Sequence, residues 1–213
     1  MTKHISRRGL LRGAAMLAVP ASLAACNGIL PQAPPSNLYA LSPKTTFPPD
    51  LPRVNWQLVV EEPFAAGGLD THRIAIMTNP YEIKYYAGAR WAERAPRMVQ
   101  TLLVESFENT GKIVAVGRQS IGLRSDFNLK SELREFQAEL KEGGTTPEIR
   151  VALNAKLIGQ PRQQIVASAN FERRVRAKDG ELLSVVAAFD EALGQVLRET
   201  VQWTLLTGSR ASA

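Results

Sequence analysis

Cysteine is nearly absent from this sequence: of 213 residues, only Cys26 carries a thiol. No intrachain disulfide can form, and no cysteine cluster can hold zinc or an iron–sulfur centre. Histidine is almost as scarce, with His4 and His72 the two present. No Gly-x-Ser-x-Gly elbow, phosphate-cradling glycine loop or His/Cys cluster at metal spacing occurs. Asp50, Asp70, Asp126, Asp179 and Asp190 are scattered singly. The chain thus offers few groups for nucleophilic or acid–base chemistry; no catalytic residue, metal or cofactor is expected. Runs of eighteen apolar residues are missing too, so no stretch is long enough to cross a bilayer as a helix. Acidic residues are missing from the first 25 positions, which hold Lys3, Arg7, Arg8 and Arg12. Of the 26 basic residues, four therefore sit in this leader, leaving 22 against 20 acidic ones, a net +2. The apparent basicity is mostly local to the leader and gives no reason to expect nucleic acid.

What the leader does contain is an address. Gly13 to Ala25 is apolar or small, the length of a signal h-region. Leu23-Ala24-Ala25-Cys26 resembles the lipobox of bacterial lipoproteins, in which the peptide is cut before the cysteine and the thiol carries a diacylglycerol. Two or three acyl chains, at ~0.8 kcal/mol per buried methylene, make a durable anchor where one is marginal. Ser6-Arg7-Arg8-Gly9-Leu10-Leu11-Arg12 resembles a twin-arginine export motif, with Arg7 and Arg8 as the pair; an ordinary Sec signal is the alternative. Residues 1–25 are read as signal peptide. Asn27 is neutral, and known sorting keeps lipoproteins in the inner membrane chiefly when aspartate follows the cysteine. The outer membrane, facing the periplasm, is expected.

Residues 26–53 read as the lipidated cysteine and a tether, because seven prolines fall between Asn27 and Arg53. Proline removes amide donors and favours polyproline II, so about 27 residues at ~3.1 Å each extend about 80 Å. Most of this stretch is expected to be poorly ordered, with Leu38-Tyr39-Ala40-Leu41 as a short edge strand. The body, residues 54–207, opens with two buried strands around Trp56–Val60 and Arg73–Met77, then a third over Tyr81–Ala87. Pro96 starts a helix carrying Val99, Leu102, Leu103 and Phe107, closed by Gly111. Ile113–Val116 follows as a strand, giving a βαβ-like unit.

Phe127, Leu129, Leu133, Phe136 and Leu140 recur at helical 4-3-4 intervals, yet lie beside segments that alternate strictly. Ile149–Leu157 and Ile165–Phe171 form a hairpin around Gly159-Gln160-Pro161-Arg162. Leu182, Val186, Phe189, Leu193, Val196, Thr200 and Trp203 mark a long amphipathic helix that packs on the sheet. Gly208 is expected to end it, leaving 208–213 as a small polar tail. The fold class is α/β: a single domain, a mixed β-sheet packed by two main helices, with a C-terminal hairpin or meander followed by the long helix.

This order of features resembles the ABC-type transport auxiliary lipoproteins, accessory components of MCE-type lipid transport systems. The resemblance rests on Leu38-Tyr39-Ala40-Leu41, on Tyr85-Tyr86-Ala87-Gly88-Ala89-Arg90-Trp91-Ala92-Glu93, on Ser106 to Gly111, and on the closing helix from Val185 to Trp203. In that family the 127–138 region is a strand, which overrides the helical count. The resemblance implies a non-enzymatic envelope component that helps an ABC permease, its ATPase and an MCE-family substrate-binding protein move lipids between membranes. A homo-oligomer stays open. Tyr85, Tyr86 and Trp91 are the candidates for a partner or lipid contact; simple core packing is their other reading. The competing function is an envelope assembly lipoprotein that binds another protein or peptidoglycan.

Overall fold

The computed structural model describes residues 35–118 and 125–212. Nine strands and two helices follow in the order β1 (Asn37–Tyr39), β2 (Val54–Val60), β3 (Phe64–Ala65), β4 (Arg73–Asn79), β5 (Glu82–Trp91), α1 (Ala95–Thr110), β6 (Ile113–Arg118), β7 (Phe127–Glu139), β8 (Glu148–Gly159), β9 (Gln164–Arg176) and α2 (Leu182–Ala211). All nine strands join one mixed sheet, and both helices pack against one another and the sheet around a single apolar core.

Strand β7 is the spine. Along one edge it takes β8 in antiparallel register over its full length, and β8 takes β9 in the same way. Along its other edge the chain lays down β2, β3 and β4 in succession, all parallel to β7. The helical spacing of the β7 residues has a local cause. A bulge between Leu133 and Glu135 shifts the side-chain alternation by one. Buried apolar residues are odd-numbered before it (Leu129, Leu133) and even-numbered after it (Phe136, Ala138). Two strand patterns joined by one extra residue thus imitate a 4-3-4 stripe.

The βαβ-like unit is corrected. β5 and β6 flank α1 in sequence but are not neighbours: β6 pairs with β2, whereas β5 pairs with β4 and β1. Helix α1 therefore crosses between separate strands. Its limits follow from chemistry: Pro96 occupies the first turn, where a missing amide costs nothing. Gly111 caps the end at φ 58°, its N–H donating to the Glu108 carbonyl.

Gly208 does not stop α2, which runs on to Ala211. A Cβ at Gly208 would lie 2.5 Å from Cζ2 of Trp56. Glycine is there so that the helix can pass the indole, and the 208–213 tail is reduced accordingly. The helix buries Phe189, Leu193, Val196 and Thr200 as expected, and widens that stripe with Val185, Ala192, Leu197, Val201 and Leu205. Trp203 lies at its margin, edge-on to Phe171 of β9 at 5.8 Å.

The proline-rich stretch is also corrected from Pro35 onward. Leu41 and Leu51 are buried in the core. Ser42 N–H donates to Asp190 Oδ1, and Lys44 N–H donates to the buried Oγ of Ser106. Asn109 Nδ2 and Lys112 Nζ donate to the carbonyls of Lys44 and Pro49. Residues 35–53 are a strap across α1 and α2. Proline predicted non-helical chain correctly, but it does not distinguish free chain from chain laid on a surface.

Candidate functional site

The stretch Tyr85–Trp91 is bent by a bulge. Ala75 faces Tyr85 while Arg73 faces Arg90, so two steps along β4 answer five along β5. Gly88 absorbs the distortion at φ 66°, a backbone region that side-chain-bearing residues rarely occupy. Beyond it, Ala89 and Trp91 turn into the core. Trp91 is 1% exposed, with Phe189 edge-on at 5.2 Å and Phe136 tilted at 5.7 Å. The contact reading of Trp91 is therefore replaced by its core reading. Tyr85 stays at the core margin: its hydroxyl donates to the Gly68 carbonyl at 3.2 Å, and the Arg73 guanidinium lies 3.7 Å over its ring. Tyr86 is half-buried, and burial pushes its phenol above the ordinary value. Partial exposure leaves Tyr85 and Tyr86 able to meet a ligand; Trp91 is not. Arg7, Arg8 and Cys26 lie outside the described residues.

The sheet brings together a second group that sequence reasoning missed. On the face away from the helices, Arg150 of β8 contacts Glu135 at 3.1 Å and Glu139 at 3.6 Å on one side, and Glu172 at 2.8 Å on the other. Arg174 of β9 reaches Glu139, Glu148 and Glu172 at 2.9, 3.2 and 3.2 Å. Gln137, 2% exposed, donates from Nε2 to Glu135 and Glu139. Two guanidinium groups thus hold four carboxylates across three strands. The hydrogen bond from Arg150 holds the Glu172 carboxyl below its usual range, against the upward push of desolvation. The same bond raises Arg150. Each of these residues is one polar member of an alternating strand; only register shows that they converge.

This ladder borders an open cleft of about 670 Å³ whose other wall includes Met77, Pro80 and Leu140. A second open cleft, about 700 Å³, lies at the opposite end of the sheet, between Trp56, Phe127, Pro161, Arg162 and Val166. Among the described residues, no group of three or more His, Cys, Asp or Glu side chains is placed to hold a metal. No helix among them is long and apolar enough to cross a membrane. With two guanidinium groups against four carboxylates the ladder keeps a formal negative excess, and its contacts brace β7, β8 and β9 across the sheet.

Fold and surface together define a single α/β body with one helix-covered and one polar sheet face. The chain belongs to the family described as the ABC-type transport auxiliary lipoprotein component, whose model matches residues 38–201. The family is one of membrane-anchored envelope lipoproteins. A solved structure of a protein from Xanthomonas campestris is 38% identical, with a TM-score of 0.79, over 83% of this chain and 99% of that one. A second solved structure, of an uncharacterised protein, shares the fold at 15% identity and a TM-score of 0.63, over 79% of this chain and 98% of that one. An uncharacterised protein of Bradyrhizobium diazoefficiens is 29% identical over 171 residues, which are 79% of this chain and 44% of that protein. The chain thus spans less than half the length of that relative.

Proposed function

We propose that this protein is a non-catalytic auxiliary component of an ABC/MCE-type lipid transport system, anchored through acylated Cys26 in the outer membrane and facing the periplasm. The observation that carries this reading is the family match over residues 38–201, joined to a chain that offers Leu23-Ala24-Ala25-Cys26 ahead of it. Export by the twin-arginine route through Arg7 and Arg8, with residues 1–25 removed, belongs to the same proposal. Its partners are an MCE-family protein, the ABC permease and ATPase, and lipids.

The strap changes the mechanics of this reading. With residues 35–53 laid on the body, the chain length between Cys26 and the first strand is that from Cys26 to Asn37. Eleven covalent steps span at most about 35–40 Å, half the reach expected from the proline count. The body therefore works close to its own membrane, and the partner must approach it there. Tyr85 and Tyr86 are the proposed partner or lipid contacts.

Copurification tests the assignment: the body, residues 35–213, should retain an MCE-family protein and show no turnover of its own. Retention of peptidoglycan instead would favour an assembly lipoprotein. Palmitate labelling tests the anchor, since Cys26→Ser should abolish both label and processing.

A further inference from the structure

A sheet that does not close into a barrel ends in strands with a row of unpaired amides and carbonyls. Among the described residues four strands have a partner on one side only: β1, β3, β6 and β9. The first three are short, at three, two and six residues. β9 runs for thirteen, Gln164–Arg176, and pairs with β8 from end to end. Among the described residues no strand pairs with its other edge. Two side chains reach its main chain: Asn154 of β8, on the Ala169 carbonyl at 3.4 Å, and Arg173, on the adjacent Glu172 carbonyl.

Edge strands are kept from pairing by short length, proline, bulges, or charged side chains standing over the edge. β9 is long and has no proline. Its charges are confined to one half: Glu172, Arg173, Arg174 and Arg176 follow eight uncharged residues, Gln164–Phe171. Three of those four are also drawn inward. Arg174 reaches Glu139 of β7 and Glu148 of β8, Glu172 takes Arg150 of β8, and Arg173 pairs with Glu199 of α2. At the uncharged end Ile165 and Val166 are 55% and 38% exposed. One protective device remains, a bulge at Val166, where Ile158 and Leu157 of β8 answer Ile165 and Ala167. From Ala167 to Arg176 the register is regular.

We propose that β9 pairs antiparallel with β9 of a second copy of this chain, about a two-fold axis at Asn170, joining two sheets into one. Charge placement selects that occupant. Antiparallel pairing lays the charged half of each strand along the uncharged half of the other. The register that uses the whole strand is centred on Asn170, midway between Gln164 and Arg176. It sets Arg173 opposite Ala167, Glu172 opposite Ser168, and Phe171 opposite Ala169. Arg174 and Arg176 fall level with Val166 and Gln164. No like charges face one another, and the ion pairs within each copy stay intact. A strand from another protein would need the same segregation of charge, which a second copy supplies by symmetry. The two-fold axis keeps both α2 helices on one face of the joined sheet and both Arg–Glu ladders on the other.

The test uses the full chain in detergent with Cys26→Ser, so that each introduced cysteine is the sole thiol. It needs no acylation and stands apart from the function proposed above. Facing Cα atoms on antiparallel strands lie ~4.5–5.5 Å apart, within the span of a disulfide. On mild oxidation Asn170→Cys should therefore link to its own copy as the main product. Val114→Cys, exposed on the β6 edge, should link only at the yield of random collision. Ser168→Cys and Glu172→Cys should each link poorly alone and well when mixed. Ser168→Glu gains Lys156 within its own sheet but meets Glu172 of the second copy. Two such like-charge pairs per dimer should weaken association roughly five- to tenfold and lower the Asn170→Cys yield accordingly. Asn170→Cys linking no better than Val114→Cys, or the mixture no better than its parts, overturns the pairing. So does an undiminished yield with Ser168→Glu in protein whose urea midpoint is unchanged; β9 would then be left to an extended strand of another protein.

Discussion

Leu153 and Asn154 are adjacent on β8, yet they live under different physics. Leu153 is 1% exposed beneath the helices, in the same cluster as Phe136, Phe189 and Trp91. Asn154 points the other way and donates to Asn170 at 2.7 Å, in a face built from Arg150, Arg174 and their carboxylates. One face is held by burial, which is strong per residue and indifferent to partner identity. The other is held by pairing, which is weak per residue and depends on register. The difference teaches which substitutions this fold tolerates and which face is available for recognition.

The comparison breaks most severely on the buried side. Trp91→Ala removes the ring that joins β5 to Phe136 and Phe189, and large-to-small changes of this kind cost about 3–5 kcal/mol. A urea melt should show a much lower midpoint, while Tyr86→Ala, half-buried, should lower it by clearly less. If Tyr86→Ala proved the more damaging, the core reading of Trp91 would be wrong.

Next comes the contact that glycine permits. Gly208→Val puts branched carbon where Trp56 already sits 2.5 Å from the built Cβ position, and overpacking costs about 1–3 kcal/mol. The double variant Gly208→Val with Trp56→Ala should lose less than the sum of the two single changes. Strict additivity in a double-mutant cycle would remove the proposed clash.

These two positions also measure how far the sequence could be read. Strict alternation disclosed β8 and β9, and Pro96 with Gly111 disclosed α1, because in each case the signal is local and one rule applies. Gly208 misled because a glycine that ends a helix and one that passes an indole look alike without the neighbour. The β7 bulge misled in the same manner, converting two alternations into a helical stripe. The Arg150–Glu172 ladder was not legible, since it needs three strands in register before its members meet. Proline density marked the strap without revealing that Leu41 and Leu51 would fasten it.

On the polar face the effects are smaller. Arg150→Ala leaves Glu135, Glu139 and Glu172 with less compensation, and the half-exposed setting limits the loss to about 1 kcal/mol. Arg150→Lys should rescue only part of this, because an ammonium cannot bridge two strands with the guanidinium's planar fork. Full rescue by lysine, read from urea midpoints, would reduce the ladder to a matter of net charge.

The finest distinction between the two faces is their response to acid. Glu172 is hydrogen-bonded by Arg150, and its carboxyl is held below the ordinary range in the folded protein. A carboxyl with a depressed folded-state pKa lends stability that is fully present above its unfolded value. That contribution is lost as pH falls through the folded value. The polar face should therefore loosen below the usual carboxylate range while the Trp91–Phe189 cluster, having nothing to titrate, holds. Glu172 is 41% exposed at its side chain, so solvent screens the pair and the contribution stays under about 1 kcal/mol. Stability measured in denaturant from neutral pH down into the acid range should fall for the native chain and fall less for Glu172→Gln, which has lost this one titration. Parallel curves for the two proteins would mean that the Arg150–Glu172 bond does not couple to folding at all.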